Sequence, residues 1–371
     1  VGHVVALRAL KLGDFLVTVP ALKATRRAWP HHEIMFATSG WLGPLVELTG
    51  CVDTVLPTHG MAPLDRRAHH PDVAINLHGT GPHSNTVLDA LHPGRRIGHS
   101  GHGWPGPVWI DDLHERVRWC RLLTEHGIPA DPGDLHLPPP TRASQAPGAI
   151  VVHPGAAFGS KRWPVDRFAT VARALRAAGH RVVITGTASE RDLAATLAAP
   201  VDRLAGRTDL LGLAALVAEA RLVISGDTGI AHLAYAFGTP SVTLFGPVPA
   251  RHWGPPPGPH RTLSADELRR GDPFAPDPDP ALLQVQPADV LAAAAELVCA
   301  PAEVVAESGR REATVPDDKH DELAESKQAL AEAKEAARAA NLTRPHEQAE
   351  QEGAPTEHPP HQEDDDHFSP S

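Results

Sequence analysis

Along the first 300 positions, apolar residues gather in short unbroken runs separated by stretches of helical spacing. Residues 2–10 (GHVVALRAL) form the first run. Apolar runs without alternation predict strands covered on both faces. Gly13 and Asp14 follow, and then Phe15, Val19, Leu22 and Trp29 recur on a helical pattern. Pro20 stands early in that helix and is expected to kink it rather than end it. Further strands are predicted over 33–37, 52–56, 72–77 and 95–98, with helices near 42–48, 84–91 and 113–126. Strands alternating with helices imply a parallel sheet with right-handed crossovers.

The pattern breaks at residues 129–148 (PADPGDLHLPPPTRASQAPG), whose Pro, Gly and Ser content suits a linker. Alternation then resumes. Strands are predicted over 149–153, 181–185, 221–225 and 241–245, and helices over 165–178, 190–197, 210–220 and 230–237. Residues 254–286 read as irregular, and 287–299 as a closing amphipathic helix. The expectation is an α/β protein with a doubly wound domain over 1–135, a linker over 136–148 and a second doubly wound domain over 149–300. In residues 301–371, large apolar side chains are sparse. There 317–340 suits an isolated helix, and the end, EDDDHFSPS, has a disordered composition.

Charge sharpens this division. Residues 301–371 hold 18 acidic and 7 basic residues and account for the whole net charge of −11, leaving 27 of each sign in the first 300. A balanced body lacks the basic excess of a general nucleic-acid binder. Three scattered cysteines (Cys51, Cys120, Cys299) make neither a disulfide framework nor a structural zinc site. No apolar run reaches membrane-spanning length, and the first residues lack a signal-peptide pattern. A cytoplasmic protein is expected, and peripheral contact with the inner face of a membrane stays compatible with it.

In doubly wound sheets, ligands bind beyond the carboxyl ends of the strands. The loops there read KLGD (11–14), HPGAAFGSKRWP (153–164), GTASE (186–190), GDTGIAH (226–232) and GPVPARHWGP (246–255). Glycines allow close backbone approach, and helix amino ends favour anions. A phosphate-bearing ligand between two lobes is the expectation. Neither a dinucleotide fingerprint nor a P-loop is present; GAAFGSK (155–161) lacks the P-loop spacing.

Four of these stretches, GDFLVTVPAL (13–22), HPGAAFGSKRWPVDRFATVARAL (153–175), ITGTASERDLA (184–194) and VISGDTGIAHLAYAFGTPSVTLFGP (223–247), occur in the order of one family. The chain resembles the ADP-heptose:lipopolysaccharide heptosyltransferases, glycosyltransferase family 9, over roughly residues 3–299. The resemblance implies a GT-B fold of two Rossmann-like domains facing each other across a cleft, and metal-independent, cofactor-free, inverting transfer from a nucleotide-sugar donor to a glycan or small-molecule acceptor.

The resemblance also implies residue roles, each beside a plainer reading. Asp14 is implied as the general base, where a helix N-cap is the plainer role. Lys161, otherwise a surface lysine, is implied to grip the donor diphosphate and stabilise the leaving group, with Ser160 adding a hydroxyl contact. Glu190, otherwise a helix first-turn acid, would meet the ribose hydroxyls. Thr228 and Gly229 would hold phosphate and Asp227 the donor sugar, against a capped turn; His232 ranks behind them. Gly13, Asn76 and His78 mark the acceptor side. Asp227 and His232 suit a metal by residue type, but oxygen-preferring ions want more carboxylates than stand nearby. An NDP-sugar 2-epimerase or a non-catalytic sugar-nucleotide-binding protein are the competing readings.

Overall fold

The computed structural model describes residues 2–197 and 202–298. The expectations for residues 301–371, and for Cys299, fall outside the described residues.

The first lobe runs β1 (His3–Leu7), α1 (Leu12–Leu16), α2 (Val19–Ala28), β2 (Glu33–Thr38), α3 (Gly43–Leu48), β3 (Thr54–Pro57), β4 (Val73–Asn76), α4 (His83–Asp89), β5 (Arg95–Ile97) and α5 (Glu115–Glu125). The second runs β6 (Ile150–His153), α6 (Val165–Ala177), β7 (Val182–Ile184), α7 (Arg191–Thr196), β8 (Asp202–Arg203), α8 (Leu210–Ala218), β9 (Leu222–Gly226), α9 (Gly229–Phe237), β10 (Ser241–Leu244), α10 (Ala250–Trp253), β11 (His260–Leu263), α11 (Pro280–Gln284) and α12 (Pro287–Val298).

Both sheets are wholly parallel, in the orders β3-β2-β1-β4-β5 and β11-β10-β9-β6-β7-β8. The strand order reverses beside β1 and β4 in one sheet and beside β6 and β9 in the other. A doubly wound fold opens its ligand crevice at that switch point.

Strand side chains alternate between two buried faces. Val5, Leu7, Met35 and Ala74 face one side of the first sheet, and Val4, Ala6, Ile34 and Phe36 the other. Ile150, Val152, Leu222 and Ile224 pack under α6 and α12, with Trp163 as an anchor. The remaining core crosses the lobe boundary. Phe15, Leu22 and Leu42 pack in one continuous cluster with Leu216, Ile230, Leu233 and Val151. The lobes therefore share a core through α1, α3, α8 and α9.

Two expectations change. A single kinked helix over 13–29 is replaced by α1 and α2, with Pro20 in the first turn of α2. Proline has no N–H to donate, so it opens the second helix, where that donor would be unpaired anyway. The irregular 254–286 contains β11, parallel to β10, and two short helices lie nearby or within it. Residues 129–148 hold no strand or helix but are tied down: the Leu137 N–H donates to the Ala236 carbonyl and the Gly148 N–H to that of Glu219. No helix among the described residues is long and apolar enough to cross a membrane.

Candidate active site

Three loops, leaving β1, β6 and β9 at their carboxyl ends, carry the site. The β9 loop is short because Gly226 ends the strand and α9 starts at Gly229. Thr228 is the extended N-cap residue of α9, and no side chain caps that end. Gly238, at φ 68°, ends α9 in the left-handed region that a glycine adopts without strain.

Asp227 is buried, and its two carboxylate oxygens face different partners. Oδ2 accepts from Lys161 Nζ at 2.9 Å, and Oδ1 lies 3.8 Å from His232 Nε2. Burial opposes the charged form of Asp227, but Lys161 and His232 outweigh it and hold the carboxyl below its ordinary range. His232 is wedged in turn between the rings of Tyr235 and Trp253.

Lys161 is delivered by a single 3-10 turn, Gly159–Lys161. The turn is strapped down by residues 273–279. Ser160, expected to offer its hydroxyl to the donor, is fully buried. Its Oγ donates to the Pro273 carbonyl at 2.7 Å and its N–H to that of Ala275 at 2.9 Å. The strap carbonyls consume its donors, so Ser160 shapes the turn that presents Lys161.

Glu190 occupies the third position of a capping box. Its Oε2 accepts the Thr187 N–H at 2.7 Å, and its carboxylate fills the space a side chain at Gly155 would need. Burial pulls the nearby His153 imidazole down in pKa, against the pull of Glu190. The carboxylate thus stands at the carboxyl ends of β6 and β7, already engaged with a backbone amide.

Across the boundary, Asp14 lies in the first turn of α1, but Lys11 is the N-cap residue, so Asp14 is not a cap. Gly13 presses on the second lobe: a Cβ there would stand 2.9 Å from His232 Cδ2. Leu12 covers Gly229 in the same way, at 2.8 Å. Leu12 and Gly13 therefore meet Gly229 and His232 across the lobe boundary, with Asp14 next to Gly13 on one side and Lys161 and Asp227 joined to His232 on the other. A Lys11–Phe158 cation–π pair spans the same boundary at 5.4 Å. Among the described residues, no group of three or more His, Cys, Asp or Glu is arranged to hold a metal ion. A groove of about 620 Å³ on the first lobe, lined by Arg95, Arg96 and His126 among others, includes none of these residues.

Asn76, expected on the acceptor side, is completely buried. Its amide donates to Ser84 and Asn85, and its Oδ1 accepts the His78 N–H at 2.9 Å. It builds the loop rather than lining the cleft. His78 sits beside Arg8 and Asp14. Its Nδ1 accepts from the Ala9 N–H at 3.3 Å, and burial, then Arg8, lower its pKa against Asp14.

Arg8 belongs to this site although none of the sequence motifs marks it. The residue is 2% exposed, and its guanidinium meets Asp14, the Leu77 carbonyl, Glu115 and the face of Trp119. The signal was visible as a lone cation inside the apolar run VVALRAL, which must be paired if it is buried.

Residues 132–269 match the profile of glycosyltransferase family 9 (heptosyltransferase). Lipopolysaccharide heptosyltransferase 2 of Salmonella typhimurium is 30% identical over 280 residues, 64% of this chain and 80% of that protein. Lipopolysaccharide heptosyltransferase 1 of Pseudomonas aeruginosa is 34% identical over 147 residues, and the match spans 41% of its length and 38% of this chain. Among solved structures, the E. coli ADP-heptose lps heptosyltransferase II superposes with a TM-score of 0.67 at 21% identity, over 80% of this chain and 98% of that one. A family 9 glycosyl transferase from Veillonella parvula gives 0.66 at 20% identity, over 80% and 97%. At such identities the structural likeness speaks for the GT-B fold.

Proposed function

The chain belongs to glycosyltransferase family 9, the heptosyltransferases, and from that membership we propose that it moves a heptose from ADP-heptose to a hydroxyl of a lipopolysaccharide-type glycan, with inversion. The observation that carries the mechanism is the close approach of Gly13, the neighbour of Asp14, to His232, which stands with Lys161 around Asp227 in the other lobe. A transfer enzyme needs a base on the acceptor side and positive charge on the leaving-group side, facing each other across the sugar.

Asp14 takes the acceptor proton as the hydroxyl oxygen attacks the anomeric carbon. The bond from that carbon to the ADP oxygen breaks, and negative charge gathers on the diphosphate. Lys161 and the uncapped amino end of α9 lie where they can stabilise that charge. Asp227 acts through its partners: it aims Lys161 and His232. Glu190 meets the ribose by exchanging its amide bond for hydroxyl donors. The chemistry is proton transfer and displacement, so the scheme needs no cofactor.

The test uses the full chain with ADP-heptose and truncated lipopolysaccharide, following ADP release and the mass of the acceptor. General base catalysis contributes about 10²–10⁴-fold, so Asp14→Asn should lose that much transfer while binding ADP as tightly as the wild type. Undiminished transfer by this variant removes Asp14 from the role. Consumption of donor without any glycosylated acceptor refutes the transferase reading.

A further inference from the structure

We propose that Arg8 is a positioning residue that locks the Asp14 carboxylate for proton abstraction and is itself held by Glu115 and Trp119 of α5. This rests on the reading of Asp14 as the base.

Arg8 grips Asp14 twice. Its Nε donates to the Asp14 carbonyl at 2.6 Å and its Nη2 to Asp14 Oδ1 at 3.0 Å. Its Nη1 donates to the Leu77 carbonyl at 2.6 Å, at the end of β4. One rigid, planar fork therefore ties the backbone and side chain of Asp14 to the switch point between β1 and β4. With Oδ1 engaged, Oδ2 has no protein partner among the described residues and is the oxygen free for an acceptor hydroxyl. The Asp14 side chain is 26% exposed, whereas that of Arg8 is 3% exposed.

The second carboxylate completes the argument. Glu115 Oε2 lies 3.7 Å from Arg8 and accepts the Trp119 indole N–H at 3.1 Å, while Oε1 accepts from Arg118 at 2.8 Å. The Trp119 ring lies 4.6 Å beneath the Arg8 guanidinium. When Asp14 accepts a proton it turns neutral, and a buried cation with a single counter-charge would then stand unpaired. Glu115 keeps Arg8 paired through that step, so the fork does not reorganise. A bridge that served only to cement α1 would need no second carboxylate and would not single out one oxygen.

Lysine cannot reproduce the planar fork that reaches these three acceptors. Arg8→Lys should therefore lower kcat by about 10–100-fold, as expected of a misplaced reacting group. KM for ADP-heptose and the calorimetric Kd for ADP should stay within about threefold, since both report on the other lobe. Glu115→Gln keeps the shape and should lower kcat by about 3–10-fold, again without changing ADP affinity. In a double-mutant cycle, Asp14→Asn with Arg8→Lys should be no slower than Asp14→Asn alone. Wild-type kcat in Arg8→Lys beside an inactive Asp14→Asn overturns the proposal and leaves the base reading standing. Wild-type transfer by Asp14→Asn overturns the base reading and the proposal with it. If Arg8→Lys does not fold, unchanged kcat in Glu115→Gln is the overturning result.

Discussion

Gly13→Ala separates local helix chemistry from the apposition of the lobes. Within α1 alone, alanine replacing glycine favours the helix by about 1 kcal/mol. Across the lobe boundary, the new methyl would stand 2.9 Å from His232 Cδ2 and 3.4 Å from Nε2. His232 cannot swing aside freely: it is 6% exposed, lies 3.8 Å from Asp227 Oδ1 and abuts the rings of Tyr235 and Trp253. Overpacking of this kind costs about 1–3 kcal/mol. The cost applies only while the lobes are packed together, whereas the helix gain applies whether or not they touch. A penalty of that size on the packed arrangement corresponds to about a 5–150-fold loss of transfer. ADP binding, proposed for the second lobe, should change little. The assays are kcat for ADP release with acceptor, calorimetric ADP binding, and small-angle scattering, in which the radius of gyration should rise. A variant about 1 kcal/mol more stable, equally active and equally compact would show that helix propensity alone acts there, and the cross-lobe contact would be wrong.

Lys161→Met should lower transfer by about 100-fold, the usual loss on removing one group that stabilises developing charge. It also strands the buried Asp227 carboxylate, at a cost of about 1–3 kcal/mol in urea unfolding. Adding Asp227→Asn should restore most of that stability and none of the transfer. Stability should also fall on acidification below neutrality. Burial, then nearby arginines, lower His99 to about 4 from 6.5. The unfolded chain protonates this imidazole near 6.5 and the folded chain only near 4, so stability is lost as pH falls through that window. At pH 5 the loss from His99 is about 2 kcal/mol. Urea midpoints at pH 7 and pH 5 measure it, and His99→Gln should shrink the difference by about 2 kcal/mol, leaving the part due to His114 and His260, which burial also lowers to about 4; an undiminished pH dependence in that variant would clear His99 of the effect.

Much of the fold was legible because its strands are covered on both faces. Runs such as 150–152 and 222–224 are apolar without alternation and stand out from any helix. β11 was not legible. It is an edge strand beginning at His260 with Arg261 and Thr262 exposed, and it exists because β10 offers its backbone edge. The division into α1 and α2 was half legible: Pro20 was visible, but no residue at Val17 or Thr18 marks the end of α1.

For the candidate site, the chain alone marked the loops to consider, since glycines and polar groups recur at strand ends and four motifs keep one family order. It also placed Asp14, Lys161 and Asp227 on separate loops. Only the tertiary structure decided how these residues face one another. Asp227 turned toward Lys161 and His232 because a buried carboxylate must find a counter-charge and polar neighbours. Ser160 was withdrawn into its strap because carbonyls of 273–275 needed donors. Arg8 rose from an unremarked cation to the partner of Asp14 because β1, β4 and α5 converge on it. Pairing of buried charges depends on distances between segments some 60–110 residues apart, such as Lys161 to Asp227 and Arg8 to Glu115, and no local pattern in the chain encodes those distances.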